Sequence, residues 1–107
     1  MHIHVILRNR VKELHPSLQG SYRQSIPVNG KPSWTSISST RRAIWYDGED
    51  WNIGKFKDVA SGLAGDLTGI GNYQTPYDDN IPWRYYTQGK FIKAGPGDVI
   101  LGEAIEN

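Results

Sequence analysis

The stretch Arg41-Arg42-Ala43-Ile44-Trp45-Tyr46-Asp47-Gly48-Glu49-Asp50-Trp51-Asn52-Ile53-Gly54-Lys55-Phe56 decides the fold. Two runs rich in aromatic and β-branched residues flank the polar segment Asp47-Gly48-Glu49-Asp50, which is the pattern of a β-hairpin closed by a glycine-containing turn. Strand alternation puts Ala43 and Trp45 on one face and Ile44 and Tyr46 on the other. Across the turn, Trp51, Ile53 and Lys55 oppose Asn52 and Phe56.

Working outward, similar signals recur. His2 to Leu7 reads as a strand with a tail, Ile6-Leu7, buried on both faces. Arg8 to Lys12 reads as a solvated strand edge or turn, and Leu14 to Gly20 as loop, because Pro16 disfavours helix at His15. Ser21 to Ser25 forms a short strand carrying Tyr22 inward. Asn29-Gly30 marks a tight turn, since both residue types tolerate positive φ, and Trp34 leads the returning strand into the core. Ser36 to Thr40 is a polar linker. From Lys57 to Gly71 the glycines Gly62, Gly65, Gly69 and Gly71 favour an irregular loop, and Asn72 to Pro82 continues as a second loop. Trp83 to Tyr86 and Lys90 to Lys93 form a second aromatic hairpin around Thr87-Gln88-Gly89. Val99 to Leu101 is the last strand, with Glu103 to Asn107 frayed.

Composition agrees with a β-rich reading. The chain has 107 residues, with four Trp, six Tyr and two Phe beside a single Met, so large rings supply much of the burial. Twelve Gly and six Pro demand many turns, which a helical bundle would not tolerate. The expectation is one all-β domain over residues 1–107. It is a single small antiparallel unit of about five to seven short strands, a sandwich or partly closed barrel. Its core is expected to contain Ile3, Val5, Tyr22, Trp34, Ile44, Trp51, Ile53, Trp83, Tyr85, Phe91 and Ile100.

The run Asn29-Gly30-Lys31-Pro32-Ser33-Trp34, followed by Ala43 to Tyr46, Trp51 to Gly54, Pro76, and Trp83 to Tyr86 with Gly89 and Phe91, resembles a small β-rich repeat module of large multidomain eukaryotic proteins. The resemblance spans roughly residues 20 to 100. It implies a β fold, an extracellular or adhesive setting in some relatives, and no assigned activity. The chain departs from that pattern in having no Cys and in carrying an N-terminal strand of its own.

Several function classes recede on composition. With no cysteine there is neither disulfide nor thiolate metal site, which tilts the setting toward a reducing, cytoplasmic compartment. No apolar run approaches the ~18 residues of a membrane span, and the N-terminus lacks a signal peptide's apolar stretch. A net charge of +1 makes neither nucleic acid nor a membrane surface the default partner.

The candidate chemistry is sparse. His2-Ile3-His4 would place two imidazoles on one strand face, which with a carboxylate could hold zinc, but a single His-x-His at a chain end is a weak motif and reads first as the polar face of a terminal strand. The two acidic turns, Asp47 to Asp50 and Asp78 to Asn80, offer oxygens without the spacing of an EF-hand loop, so no metal or other cofactor is expected. There is no Gly-x-Ser-x-Gly elbow, and the glycine series lacks the Lys-Ser/Thr of a phosphate loop, so no catalytic residue is assigned. Binding is the better expectation. Trp45, Tyr46, Arg84 and Tyr86 are the residues expected to form a ligand surface around the two hairpins, with another protein as partner. The alternative is sugar stacking on Trp45, Tyr46 and Tyr86. A further alternative is single-stranded nucleic acid, because Arg41-Arg42 beside Trp45-Tyr46 and Arg84-Tyr85-Tyr86 beside Lys90-Phe91-Lys93 interleave cations with rings.

Overall fold

A computed structural model describes residues 1–38 and 41–104. Among these, nine strands follow one another: β1 (His2–Leu7), β2 (Gly20–Gln24), β3 (Trp34–Ser36), β4 (Arg42–Tyr46), β5 (Trp51–Lys55), β6 (Leu67–Gly69), β7 (Trp83–Thr87), β8 (Lys90–Lys93) and β9 (Val99–Ala104). A short helix, α1 (Asn9–Leu14), and a 3-10 turn at Pro16–Leu18 connect β1 to β2, and a second 3-10 turn occupies Phe56–Asp58. All nine strands belong to one antiparallel sheet. Strands β1 to β7 each pair with the next in sequence, and β9 returns to lie on the free side of β1.

The sheet twists and curls into a half-barrel, and strand alternation sends one set of side chains to its concave face. Ile3, Val5, Leu7, Tyr22, Trp34, Ile44, Tyr46, Trp51, Ile53, Leu67, Trp83 and Leu101 fill one concave core that runs from β9 and β1 round to β7. Trp51 sits at its centre, with ring centroids 6.2 Å from Trp34 and 5.6 Å from Tyr46, both pairs tilted. Its Nε1 donates to the Tyr73 carbonyl at 2.8 Å, fastening the segment between β6 and β7 across the open side. Ile81 from that segment, and Val11 and Leu18 from the β1–β2 connection, complete the core.

The central hairpin has the predicted pairing, with Ile44 opposite Ile53 and Tyr46 opposite Trp51. Asn29 (φ 53°) and Gly30 (φ 81°) both lie in the left-handed region, as the two-residue turn linking Val28 and Lys31 demands. Gln88 and Gly89 do the same for β7 and β8.

The structure corrects several expectations. The strands number nine among the described residues, and not five to seven, and the one strand with no counterpart in the sequence reading is β6, Leu67-Thr68-Gly69, inside the glycine-rich stretch. Gly69 is there for room: a Cβ on it would run into the Ile81 side chain and come within 3.3 Å of the Trp83 ring. Arg8 to Lys12 is no strand edge, since Asn9–Leu14 is helical and Val11 is wholly buried. Ile6 is exposed, so the end of β1 is buried on one face only. Phe91 and Ile100 are out of phase with the predicted core. Phe91 stands opposite Tyr86 and Ile100 opposite exposed Ile6, while Ile92, Val99 and Leu101 take the inward positions. Tyr85 is half-buried. Glu103 belongs to β9 rather than a frayed end, and Ile105 to Asn107, like Ser39 and Thr40 of the predicted linker, lie outside the described residues.

Candidate functional site

The outward face of the central hairpin is organised by Asn52, which is fully buried. Its Nδ2 donates to Asp47 Oδ2 at 2.9 Å and to the Asp50 carbonyl at 3.2 Å, and its Oδ1 accepts from the Gly65 N–H at 3.0 Å. Asp47 Oδ1 in turn accepts from the backbone N–H groups of Glu49 (2.9 Å) and Asp50 (2.8 Å), which closes the turn. Asp50 Oδ1 accepts from the Gly71 N–H at 2.8 Å. The acidic turn is therefore a structural knot whose oxygens point to amides. Among the described residues no three His, Cys, Asp or Glu side chains are gathered where they could share a metal ion.

Partial burial pushes the Asp47 carboxyl up, but the hydrogen bonds from Asp50, Glu49 and Asn52 and from its own backbone together outweigh this and hold it below the ordinary carboxylate value. A group whose pKa is depressed by folding stabilises the fold above its unfolded pKa and loses that contribution as pH falls through the folded value. Asp47→Asn is therefore expected to be less stable than the parent at neutral pH, with the gap narrowing in acid below the ordinary carboxylate range. Urea unfolding at neutral and acidic pH reads this directly. A gap independent of pH would show that charge on Asp47 is not what the turn uses.

Beside this knot lies a cleft of about 700 Å³. Trp45, only 1% exposed, forms part of its lining together with Ile26, Val28, Phe56, Val59 and Leu63. Three of these are conspicuous on a folded surface: Ile26 is 75% exposed, Leu63 61% and Phe56 45%. The chain arranges them by two loops. The Asn29-Gly30 turn, tied down by Asn29 Nδ2 donating to the Tyr46 carbonyl at 2.9 Å, supports one wall. The segment from Phe56 to Leu63 makes the other, and it is pinned at its far end where Gly65 crosses β5.

Phe56 and Lys57 continue from this cleft into a smaller hollow of about 340 Å³ lined by Arg41, Arg42, Lys55, Phe56 and Lys57. Arg42 stands directly opposite Lys55 in the β4–β5 register, and Phe56 N–H donates to the Arg41 carbonyl at 3.1 Å, which extends the pairing by one step. The Arg42 guanidinium donates to Ser17 Oγ from Nη2 (3.1 Å) and Nε (3.3 Å). Its charge also bears on Tyr22. Burial pushes that hydroxyl far up, and Arg42 only partly opposes the effect.

The four residues expected to form the ligand surface are separated. Trp45 is buried on the outward side of β4, and Tyr46, next in the chain, points into the core with its ring 4.9 Å from Lys31 Nζ. The Tyr46 hydroxyl lies 2.9 Å from the Gly48 carbonyl and 2.8 Å from Asn72 Oδ1. Neighbours in a strand face opposite ways, so these two rings cannot make one platform. Arg84 and Tyr86 do lie together on the exposed side of β7. There they meet residues of β8: Arg84 is opposite Lys93, and Tyr86 packs edge-on against Phe91 at 5.4 Å. All four tryptophans are buried, so no indole presents a face for stacking a sugar. The residues that sequence reasoning missed are Ile26, Phe56 and Leu63. Their only signal was large apolar side chains, with Ile26 and Leu63 in segments that read as turn or loop and Phe56 at the end of a strand.

Two histidines are committed to local bonds. His4 Nδ1 lies 2.6 Å from Ser21 Oγ on the exposed side of β1, and among the described residues no carboxylate is bonded to that ring. His15 Nε2 lies 2.7 Å from the Tyr86 carbonyl, tying the β1–β2 connection to β7. No helix among the described residues is long and apolar enough to cross a membrane. The class that fold and surface define is an aromatic-cored antiparallel half-barrel with an apolar cleft on its outer side. No protein-family model, no curated protein and no solved structure matches the chain, so the repeat-module resemblance has no matching family behind it.

Proposed function

We propose that this domain is a non-catalytic recognition module that holds an apolar-anchored segment of another protein in the cleft above Trp45. The observation that carries the reading is the grouping of Ile26, Phe56 and Leu63, all exposed, around one cleft. Contiguous exposed apolar side chains are uncommon on a monomer's surface and mark sites of association. A rigid wall made by a buried indole suits an anchor residue, because little order remains to be imposed on binding. The recognition surface thus moves from the rings of Trp45 and Tyr46 to the loops that flank Trp45. The lack of cysteine fits a cytoplasmic, reducing setting for such a module.

The test is selection of random peptides displayed on phage against the immobilised domain. Apolar residues are expected to be enriched in the selected peptides. Leu63→Ser and Phe56→Ser are each expected to weaken binding of a selected peptide by about tenfold, while stability stays within ~0.5 kcal/mol. Selected peptides that bind the two variants as well as the parent would place the site elsewhere.

A second reading rests on the β7–β8 surface, where Arg84 and Lys93 flank the ring pair Tyr86–Phe91. Cations beside exposed rings suit single-stranded nucleic acid. A sugar would have only Tyr86 among the three rings first expected to stack it.

A further inference from the structure

Four cations, Arg41, Arg42, Lys55 and Lys57, line one hollow around Phe56. Among the described residues none of the four makes an ion pair, and the ion pair seen lies elsewhere, between Arg10 and Glu13 at 3.3 Å. The arrangement works against the fold. Arg42 and Lys55 are direct cross-strand neighbours, and like charges in that position repel and destabilise the pairing. Arg41, which immediately precedes β4, and Lys57, in the 3-10 turn that follows β5, add charge to the same hollow. A chain whose net charge is only +1 has concentrated cations here and left them without carboxylates. Structure alone gives no reason for that, whereas an anionic partner would relieve the repulsion it creates.

The position of the cluster identifies the partner. Phe56 and Lys57 line both the cationic hollow and the apolar cleft, so the two are one continuous surface. On the other side Arg41, Arg42 and Phe56 line a further hollow of about 400 Å³ with the hydroxyl-bearing Thr35, Ser36 and Ser38. We infer that the segment bound by this domain is an acidic peptide, with apolar anchors in the cleft above Trp45 and a run of Asp or Glu side chains lying across Arg41, Arg42, Lys55 and Lys57. The inference rests on the proposed function and supplies the chemistry of its partner. A polynucleotide fits less well, since Trp45 is buried and Phe56 is the one ring at the cationic hollow, so successive bases would find no series of rings to stack on.

Such a partner predicts both composition and salt response. Steering by a cationic surface raises the association rate and fades as salt screens it, while apolar anchoring persists. The experiment uses the same peptide selection, read now for charge, with the parent and with the surface variants Arg41→Glu and Lys57→Glu. Asp and Glu should be enriched beside the apolar positions. Each reversal should weaken a selected acidic peptide by about tenfold, and the parent should lose a comparable factor between low and high salt. Selected peptides that are apolar without acidic enrichment would overturn the inference and leave the proposed function standing. No selectable peptide at all would overturn both. A labelled oligothymidylate titrated in parallel supplies the other arm: tight binding abolished by Arg41→Glu or Lys57→Glu would assign the cluster to nucleic acid and overturn the inference. Loss with Arg84→Glu alone would support the second reading at the β7–β8 surface, and if the peptides show no acidic enrichment the inference falls with it.

Discussion

Gly65→Ala is expected to destabilise the domain by roughly 3–5 kcal/mol, an effect large enough to leave a small domain partly unfolded. A Cβ at Gly65 would sit 2.6 Å from the Ile53 carbonyl oxygen and 2.9 Å from its carbon, so the obstacle is backbone in the middle of β5 and cannot rotate away. The neighbouring strand position is equally close: a Cβ on Gly54 would lie 2.9 Å from Gly65 Cα and from the Asp66 nitrogen. Two glycines thus let one stretch of chain cross another at contact distance. Pushing Gly65 outward also draws its N–H away from Asn52 Oδ1 and leaves a fully buried side chain short of a partner. Asn52→Ala removes the other end of the same link and should destabilise by roughly 3 kcal/mol, since it orphans polar groups on both the turn and the crossing loop. Because the two changes break one unit, the double variant should fall well short of the sum. Urea denaturation of the three variants decides the matter. A Gly65→Ala protein within ~0.5 kcal/mol of the parent would mean that the crossing is loose.

The second large effect is expected at Trp51. Trp51→Ala removes a fully buried indole from the centre of the core and should destabilise by about 3–5 kcal/mol. Trp51→Phe separates two contributions. It keeps most of the ring contact with Trp34 and Tyr46 but loses the Nε1 donor to the Tyr73 carbonyl, and should destabilise by roughly 1–3 kcal/mol. Hydrogen exchange gives the local signature: amides between β6 and β7 should lose protection in Trp51→Phe before those of β1 and β2 do. Equal loss everywhere would show that the indole bond does not specifically anchor that segment.

Those two sites also mark the boundary of what the sequence made legible. The central hairpin could be read because its pattern is local: alternation on both sides of a polar turn, with Trp51 and Ile53 falling inward as expected. The Asn29-Gly30 turn could be read because its backbone requirement is carried by the residues that meet it. Strand β6 was hidden because Gly69 makes room for the side chains that lie over it, those of Ile81 and Trp83, and glycine by itself argues for loop. Helix α1 was hidden because six residues show too little periodicity, and Val11 is buried by tertiary packing. Phe91 and Ile100 were misplaced by one position, which in a strand means the opposite face. The surface proposed for ligand binding was the least legible. Trp45 attracted attention as an aromatic residue, yet it is buried, and the exposed apolar and basic side chains near it sit in loops and at strand ends, where no local pattern distinguishes them from ordinary solvent-facing chain.

The placement of β9 beside β1 sets an order of events during synthesis. Strands β1 to β7 each meet their next neighbour as soon as it emerges from the ribosome, but the far side of β1 stays unpaired until residues 99–104 have emerged as well. Until then a nascent chain carries Ile3, Val5 and Leu7 on a bare sheet edge, the kind of edge that recruits strands from other molecules. When Leu101 arrives opposite Val5, that edge is covered and the core gains its last wall. A ribosome stalled shortly before that point would hold most of the sheet with the outer side of β1 still bare.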